Sequence, residues 1–261
     1  MFKAVWAYRG FIKGSVSREF QAKYRNSLLG AAWPVLQPLA MIVIYTVIFS
    51  QVMRARLPDA TGTFSYSIYL CAGLLHWGLF SEITSRAQNT FIENANLLKK
   101  LNFPRLCLPI VVTIGSLVNF AIIFSLFTAF LLITSNFPGI PILGLIPILL
   151  VLVTFSIGLG MTLGVLNVFF RDVGQLFGIV LNFWFWATPI VYPISILPNI
   201  AQRLMRLNPM ANLLEACQTI LVQGKWPAWQ NLVLPGVLAV AFCLLGFWLF
   251  RKHASEMVDE L

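Results

Sequence analysis

Apolar residues run through this chain in stretches too long for a soluble core, broken by short polar islands. Tyr66 to Ser81 carries no charge, and Leu106 to Phe170 contains no Asp, Glu, Lys or Arg. As one helix the second run would extend about 97 Å at ~1.5 Å per residue, whereas a bilayer core is about 30 Å thick. It must cross a membrane twice and turn between. The pattern predicts six spans, at about residues 33–53, 66–86, 109–133, 142–169, 175–188 and 232–250. Pro34 and Pro38 open the first, where proline suits an initial turn. Asn136-Phe137-Pro138-Gly139 turns the chain outside, Arg171-Asp172 marks an inner end, and Pro189 and Pro193 break the fifth run.

Between the second and third spans lies the polar island Glu93-Asn94-Ala95-Asn96-Leu97-Leu98-Lys99-Lys100-Leu101-Asn102-Phe103-Pro104-Arg105. A basic segment held between membrane-length runs belongs on the cytoplasmic face. Leu97, Leu98 and Leu101 stand at helical spacing, and Phe103-Pro104 ends the pattern, because a residue before proline is pushed out of helical geometry. A short amphipathic helix is expected there, with the leucines as the better candidates for gripping a partner and Lys99 and Lys100 locating it in the cytosol.

Residues 1–30 read as an interface segment. Phe2, Trp6, Ile12, Val16 and Phe20 supply apolar contacts, and Lys3, Arg9, Lys13, Arg18 and Arg25 supply charge, as in a basic helix lying in the interface plane. Residues 31–250 form the transmembrane domain and 251–261 a cytoplasmic tail. The segment from Thr188 to Trp229 holds Pro189, Pro193, Pro198, Pro209 and Pro227 among apolar pieces too short to span. Such pieces suggest re-entrant or interfacial helices, here an external cap. One is expected over Pro198 to Asn208, with Ile200, Leu204 and Leu207 on one side.

Composition agrees with this all-α membrane fold. Hydrophobic residues make up 59% and charged residues 10%, against roughly 25% charged in ordinary globular proteins. Mean hydropathy is +0.82. The net charge of +9 could suggest nucleic acid, but six spans with both termini inside place 13 of the 18 Lys and Arg residues on the cytoplasmic side. Topology therefore accounts for the charge without a nucleic-acid partner. Cys71, Cys107, Cys217 and Cys243 are isolated, with no metal-ligand spacing, and no cleavable signal peptide is visible.

Catalytic constellations are missing. The histidines, His76 and His253, join no Ser/His/Asp set, no carboxylate pair shares a pocket, no metal site is expected, and no Walker A motif is present. Energy for transport would have to come from another chain. Ion coupling requires ionisable groups within the membrane. Glu82 and Arg86, at i,i+4 spacing, fit a structural pair or gate element better than a proton relay. Trp77, Phe80, Phe183, Trp184, Phe185, Trp186 and Tyr192 cluster in or near spans two and five. Interfacial belts explain most such aromatics, while flat faces lining a pathway could also bind sugar rings. Gly158, Gly160 and Gly164 allow close helix packing.

In order, Tyr24-Arg25-Asn26-Ser27-Leu28-Leu29-Gly30 with Trp33 and Pro38-Leu39, Ala72-Gly73-Leu74-Leu75-His76-Trp77, the polar island with Leu108-Pro109, Asn167-Val168-Phe169-Phe170-Arg171-Asp172-Val173, Pro189-Ile190-Val191-Tyr192-Pro193 with Leu197-Pro198, and Leu207-Asn208-Pro209 cover nearly the whole chain. This set resembles the permease subunits of type-2 ABC exporters of O-antigen, capsule and teichoic acid. The resemblance implies a homodimer in a bacterial inner membrane, two separate ATPase subunits that bind ATP and Mg²⁺, no cofactor in this chain, and an undecaprenyl-linked polysaccharide passed outward along the dimer interface. It implies ATPase contact at Glu93–Pro104, a membrane-interface helix up to Arg25, and external re-entrant helices over Thr188–Trp229. Movement of the ATPases would then shift spans one, two and five.

Rival readings are a type-2 permease for a drug or lipid and, from another class, a passive channel or scaffold without an ATPase. A lipid-linked glycosyltransferase is disfavoured by the missing carboxylate and metal motifs.

Overall fold

The computed structural model describes residues 8–24, 32–48, 62, 64–100, 106–254 and 256–260. The helices are α1 (Arg9–Tyr24), α2 (Trp33–Thr46), α3 (Ser65–Glu93), α4 (Ala95–Lys100), α5 (Cys107–Ile133), α6 (Leu145–Phe169), α7 (Asp172–Trp186), α8 (Asn199–Met205), α9 (Pro209–Gln223), α10 (Val233–His253) and α11 (Glu256–Glu260). No strand occurs among the described residues.

Among the described residues, three helical stretches are long and apolar enough to cross a membrane: Cys107–Ile133, Ile140–Phe169 and Trp229–His253. Two of them take in short 3-10 turns, Ile140–Gly144 and Trp229–Leu232, that lead into α6 and α10. α3 is as long but holds Glu82 and Arg86 and buries Ser67, His76, Thr84, Gln88 and Thr90. Polar side chains are costly in hydrocarbon unless protein shelters them. α3 is accordingly the central rod, packed against α2, α5, α6, α7 and α9.

Small residues set the closest approaches. A Cβ at Gly158 would stand 2.5 Å from the Cys243 backbone nitrogen on α10, and one at Gly160 would stand 2.7 Å from Cβ of Ala87 on α3. The glycine stripe of α6 thus serves two helices, one on each flank. The main core then fills with Phe80, Ile83, Phe127, Ile148, Leu152 and Phe155, joined by Met210, Leu214 and Ile220 of α9.

Several boundaries differ from expectation. The second span was expected to stop at residue 86, but helix continues to Glu93, its last turns packed against α6. The fifth run is helical over Asp172–Trp186, ahead of the expected 175–188. The expected helix over Pro198–Asn208 is the shorter α8, and none of its residues is buried.

Candidate functional site

The polar island folds as a joint followed by a short helix. Asn94 ends α3, and its Nδ2 donates to the Thr90 carbonyl at 2.8 Å, satisfying an acceptor that a helix end leaves open. Its own carbonyl accepts from the amides of Leu97 and Leu98, both at 3.0 Å, and so starts α4. The two helices therefore share one residue as hinge and cap.

The direction of the leucine face departs from expectation. Leu98 is 6% exposed and sits in a cluster with Phe91, Met161, Val165, Phe250 and Met257, while Leu97 packs partly buried at its edge. Leu98 is thus taken up by its own bundle, with Met257 of α11 beneath it, while Leu97 stays half-buried. What faces outward is Glu93, Asn96 and Lys99. Lys100 lies on α4, and Leu101, Phe103 and Pro104 lie outside the described residues.

α1 carries Arg9, Lys13 and Phe20, with Arg9 and Lys13 exposed; Trp6 and Arg25 lie outside the described residues. Ile12 of α1 is buried against Cys107 and Val111 of α5, with Phe11 and Val16 packed alongside. At its other end Glu19 reaches Arg86 of α3 in an ion pair. Arg86 also holds Glu82 at 3.3 Å and Ser116 Oγ at 3.3 Å, and Asn119 Nδ2 donates to Glu82 Oε2 at 2.9 Å. Glu82 and Arg86 are thus two members of a five-residue polar cluster shared by α1, α3 and α5.

The aromatic candidates divide. Trp77, Phe80, Trp184 and Phe185 form one internal stack, with Phe80 to Trp184 at 5.3 Å, Trp77 to Phe185 at 5.7 Å and Trp77 to Trp184 at 6.3 Å between centroids. Edge-to-face pairs at such distances add about 0.5–1.5 kcal/mol beyond area burial. Phe80 is wholly enclosed and also stacks on Phe155 at 5.7 Å, so it fills the bundle and does not line an open surface. Trp77 borders a cavity of about 460 Å³ between α2, α3 and α5, whose lining includes Met41, Tyr45, Leu74 and Asn119. Phe183 instead points outward from α7.

Tyr192 turns back, its hydroxyl donating to the Trp186 carbonyl at 2.8 Å. The loop around it is tied to α3: Tyr69 donates to the Pro189 carbonyl at 2.9 Å and Tyr66 to that of Val191. Gln218 of α9 adds a bond to Pro189 at 3.4 Å. Burial pushes the Tyr192 hydroxyl above its ordinary range. On α9, burial pushes the Glu215 carboxyl up, against an opposing pull from Arg206.

At the other end of the bundle Asn167 joins three helices. Its Nδ2 donates to the Gln88 carbonyl at 3.3 Å and to Asn89 Oδ1 at 3.2 Å, and its Oδ1 accepts from the Gly174 amide at 3.0 Å. The end of α3, the end of α6 and the start of α7 meet at one buried amide.

The described helices form a bundle whose longest apolar members are long enough to cross a membrane. Residues 11–222 match the ABC-2 type transporter family. The chain belongs to that family. Among curated relatives, an O-antigen export system permease protein, RfbA, from Myxococcus xanthus is 27% identical over 100% of this chain and 99% of its own length. A Klebsiella pneumoniae protein of the same name is 28% identical over 94% of this chain and 92% of its own. The polysialic acid transport protein KpsM of Escherichia coli is 23% identical over 93% of both chains.

Within this ABC-2 transporter chain, residues that local pattern did not single out carry much of the geometry. Glu19, Asn119, Asn167 and Met257 lie far in sequence from the residues they join. Asn167 stood in a quoted motif, Asn167 to Val173, but its partners on α3 leave no mark on local periodicity.

Proposed function

We propose that this chain is the permease subunit of an ATP-driven exporter that passes a lipid-linked polysaccharide, most closely an O-antigen, outward across a bacterial inner membrane. The observation that carries this reading is end-to-end similarity to permeases named for O-antigen export, over 100% and 94% of the chain. ATP and Mg²⁺ belong to a separate ATPase, two copies of which serve a homodimer of this chain.

In this reading α2, α3, α5, α6, α7 and α10 cross the membrane, and both termini lie in the cytoplasm. α8 and α9 form the external cap. Supporting this, Asn208 at the start of α9 bonds Ala187 and Thr188 beyond α7, and Gly224 at its end approaches Pro138 of the turn after α5. Both turns fall on the outer side by the distribution of basic residues. A helix that begins and ends beside outer turns lies across the outer end of the bundle.

The transport stroke starts at α4. Closure of the ATPases presses on the outward residues Glu93, Asn96 and Lys99, and Leu98 transfers the push because it is seated in the bundle. Asn94 passes it into α3. Asn167 passes it to α6 and α7, whose movement opens the path along the dimer interface.

Deleting the chain in its host should strip the polymer from the cell surface and leave it lipid-linked inside. Unchanged surface glycan overturns the reading. A second reading, capsule export, is favoured by the similarity to KpsM; the identity of the missing glycan separates the two. Purification with its ATPase separates both from a passive channel, which would come out alone.

A further inference from the structure

Arg86 stands 67 residues from Glu19, yet the two form an ion pair between α1 and α3. The surroundings are built for it. α5 presents Gly115 where they meet: a Cβ there would lie 3.4 Å from Arg86 Nη1 and 3.5 Å from Glu19 Oε2. A Cβ alone would make ordinary contact there, but a longer side chain such as leucine would reach into the pair, so the small residue leaves the notch through which α1 reaches α3. Ser116, one residue on, accepts from the same Nη1 at 3.3 Å, and Asn119, a turn later, holds Glu82. Glu82 in turn keeps Arg86 extended from behind at 3.3 Å. The guanidinium thus lies between carboxylates from two helices, with a third helix notched and hydrogen-bonded around it.

An apolar contact lies at the other end of α1, where Ile12 packs on Cys107 and Val111. That seam joins α1 to α5. The polar cluster is what links α1 to α3, the helix that continues through Asn94 into α4.

We propose that Glu19 is a positioning residue that, through Arg86, clips α1 to α3, so that the interface helix moves as one body with the rod bearing the cytoplasmic joint. Exposed ion pairs contribute little because water screens them. Here Glu19 and Arg86 are only partly exposed, and the cluster gathers five side chains and a backbone notch, so the clip holds where an isolated surface pair would not.

The consequence for transport rests on the permease reading above, so the test reads the clip and export separately. In the full chain purified with its ATPase in lipid discs, amide hydrogen exchange over residues 9–24 reports docking of α1. Glu19→Lys and Arg86→Ala should each speed that exchange by about fivefold, the range open to a partly exposed network. The swap Glu19→Arg with Arg86→Glu should bring it back within about twofold of the parent. Gly115→Leu, which alters no charge, should loosen α1 as the single variants do.

Unchanged exchange in Glu19→Lys and Gly115→Leu overturns the clip, as does a swap that fails to restore it in protein that inserts and binds the ATPase. If the swap does not fold, Gly115→Leu decides. Surface polymer should fall and recover in parallel with exchange. Loosened α1 with unchanged polymer overturns joint movement in transport while leaving the permease reading intact, because that reading fails only if deletion of the chain leaves the surface glycan unaltered.

Discussion

The indole Nε1 of Trp184 donates to Oδ1 of Asn208 at 2.9 Å, fastening α7 to the start of α9. The same oxygen accepts from the Met210 amide at 3.0 Å as the N-cap of α9, and the amide nitrogen reaches Thr188 Oγ1 at 3.1 Å. Asn208→Ala therefore removes a cap and several bonds at once. Caps contribute about 1 kcal/mol and buried hydrogen bonds about 1 kcal/mol each, so a loss of roughly 2–4 kcal/mol is expected. Trp184→Phe keeps the ring stack and the cap and should cost only about 1 kcal/mol. Thermal unfolding in detergent gives the order, and equal losses in the two variants would refute the assignment of Asn208 as the shared anchor.

Gly158 tests the tightest helix crossing. A Cβ there meets Cys243 N at 2.5 Å and Phe242 C at 2.8 Å, both backbone atoms that cannot swing aside. Gly158→Val should destabilise by about 1–3 kcal/mol through overpacking, with α6 and α10 forced apart. Gly178→Ala on α7 is the control, since nothing lies within 4 Å of its Cβ position. Gaining a helix former in open space, it should hold or raise the melting temperature. Melting temperatures that fall equally would show the crossing to be looser than the distances say.

The extent of helix and the long apolar runs were legible because hydrocarbon demands unbroken hydrophobicity and internally satisfied backbone. The glycine stripe was legible for the same reason. Which way a face points was not. Periodicity makes Leu97 and Leu98 apolar neighbours on α4, but only the tertiary placement of Phe91, Met161, Phe250 and Met257 turns Leu98 inward. Glu19 was equally hidden: an acidic residue in a basic helix carries no sign of its partner 67 positions away. The end of α3 was placed too early because Arg86 reads as an inner membrane boundary, whereas Glu19, Glu82 and Ser116 shelter it and helix continues past it.

Three variants of α4 separate packing, docking and the helix itself. Leu98→Ala opens a gap beside Phe91 and Met257, and large-to-small changes in cores cost about 2–5 kcal/mol, with the lower end fitting a site at the bundle's edge. Lys99→Glu faces outward and should leave thermal stability within about 0.5 kcal/mol while weakening ATPase retention on co-purification. Leu98→Pro breaks the helix itself and should abolish export with membrane insertion preserved. Normal surface polymer in Leu98→Pro would remove α4 from the coupling route.

The last prediction concerns the proposed second copy. On α7, Leu176, Ile179, Phe183 and Trp186 are all exposed and recur at three- and four-residue steps, so they form one stripe along the helix. Phe183, at 73% exposure, is its most prominent side chain. Lipid could cover such a stripe, as it covers the exposed valines of α10, but α7 is also the helix that Asn167 links to α3, and its movement is useful only if it borders the path. If the stripe faces the partner copy, Phe183→Ala together with Trp186→Ala removes large packing groups from a helix interface held by van der Waals contact. The dimer dissociation constant, read from native mass spectra over a concentration series, should rise by roughly tenfold for a loss of about 1.4 kcal/mol, whereas Val237→Ala on α10 should leave it unchanged. An undiminished dimer in the double variant would place the stripe against lipid and move the copy-to-copy contact, and with it the proposed path, to another face.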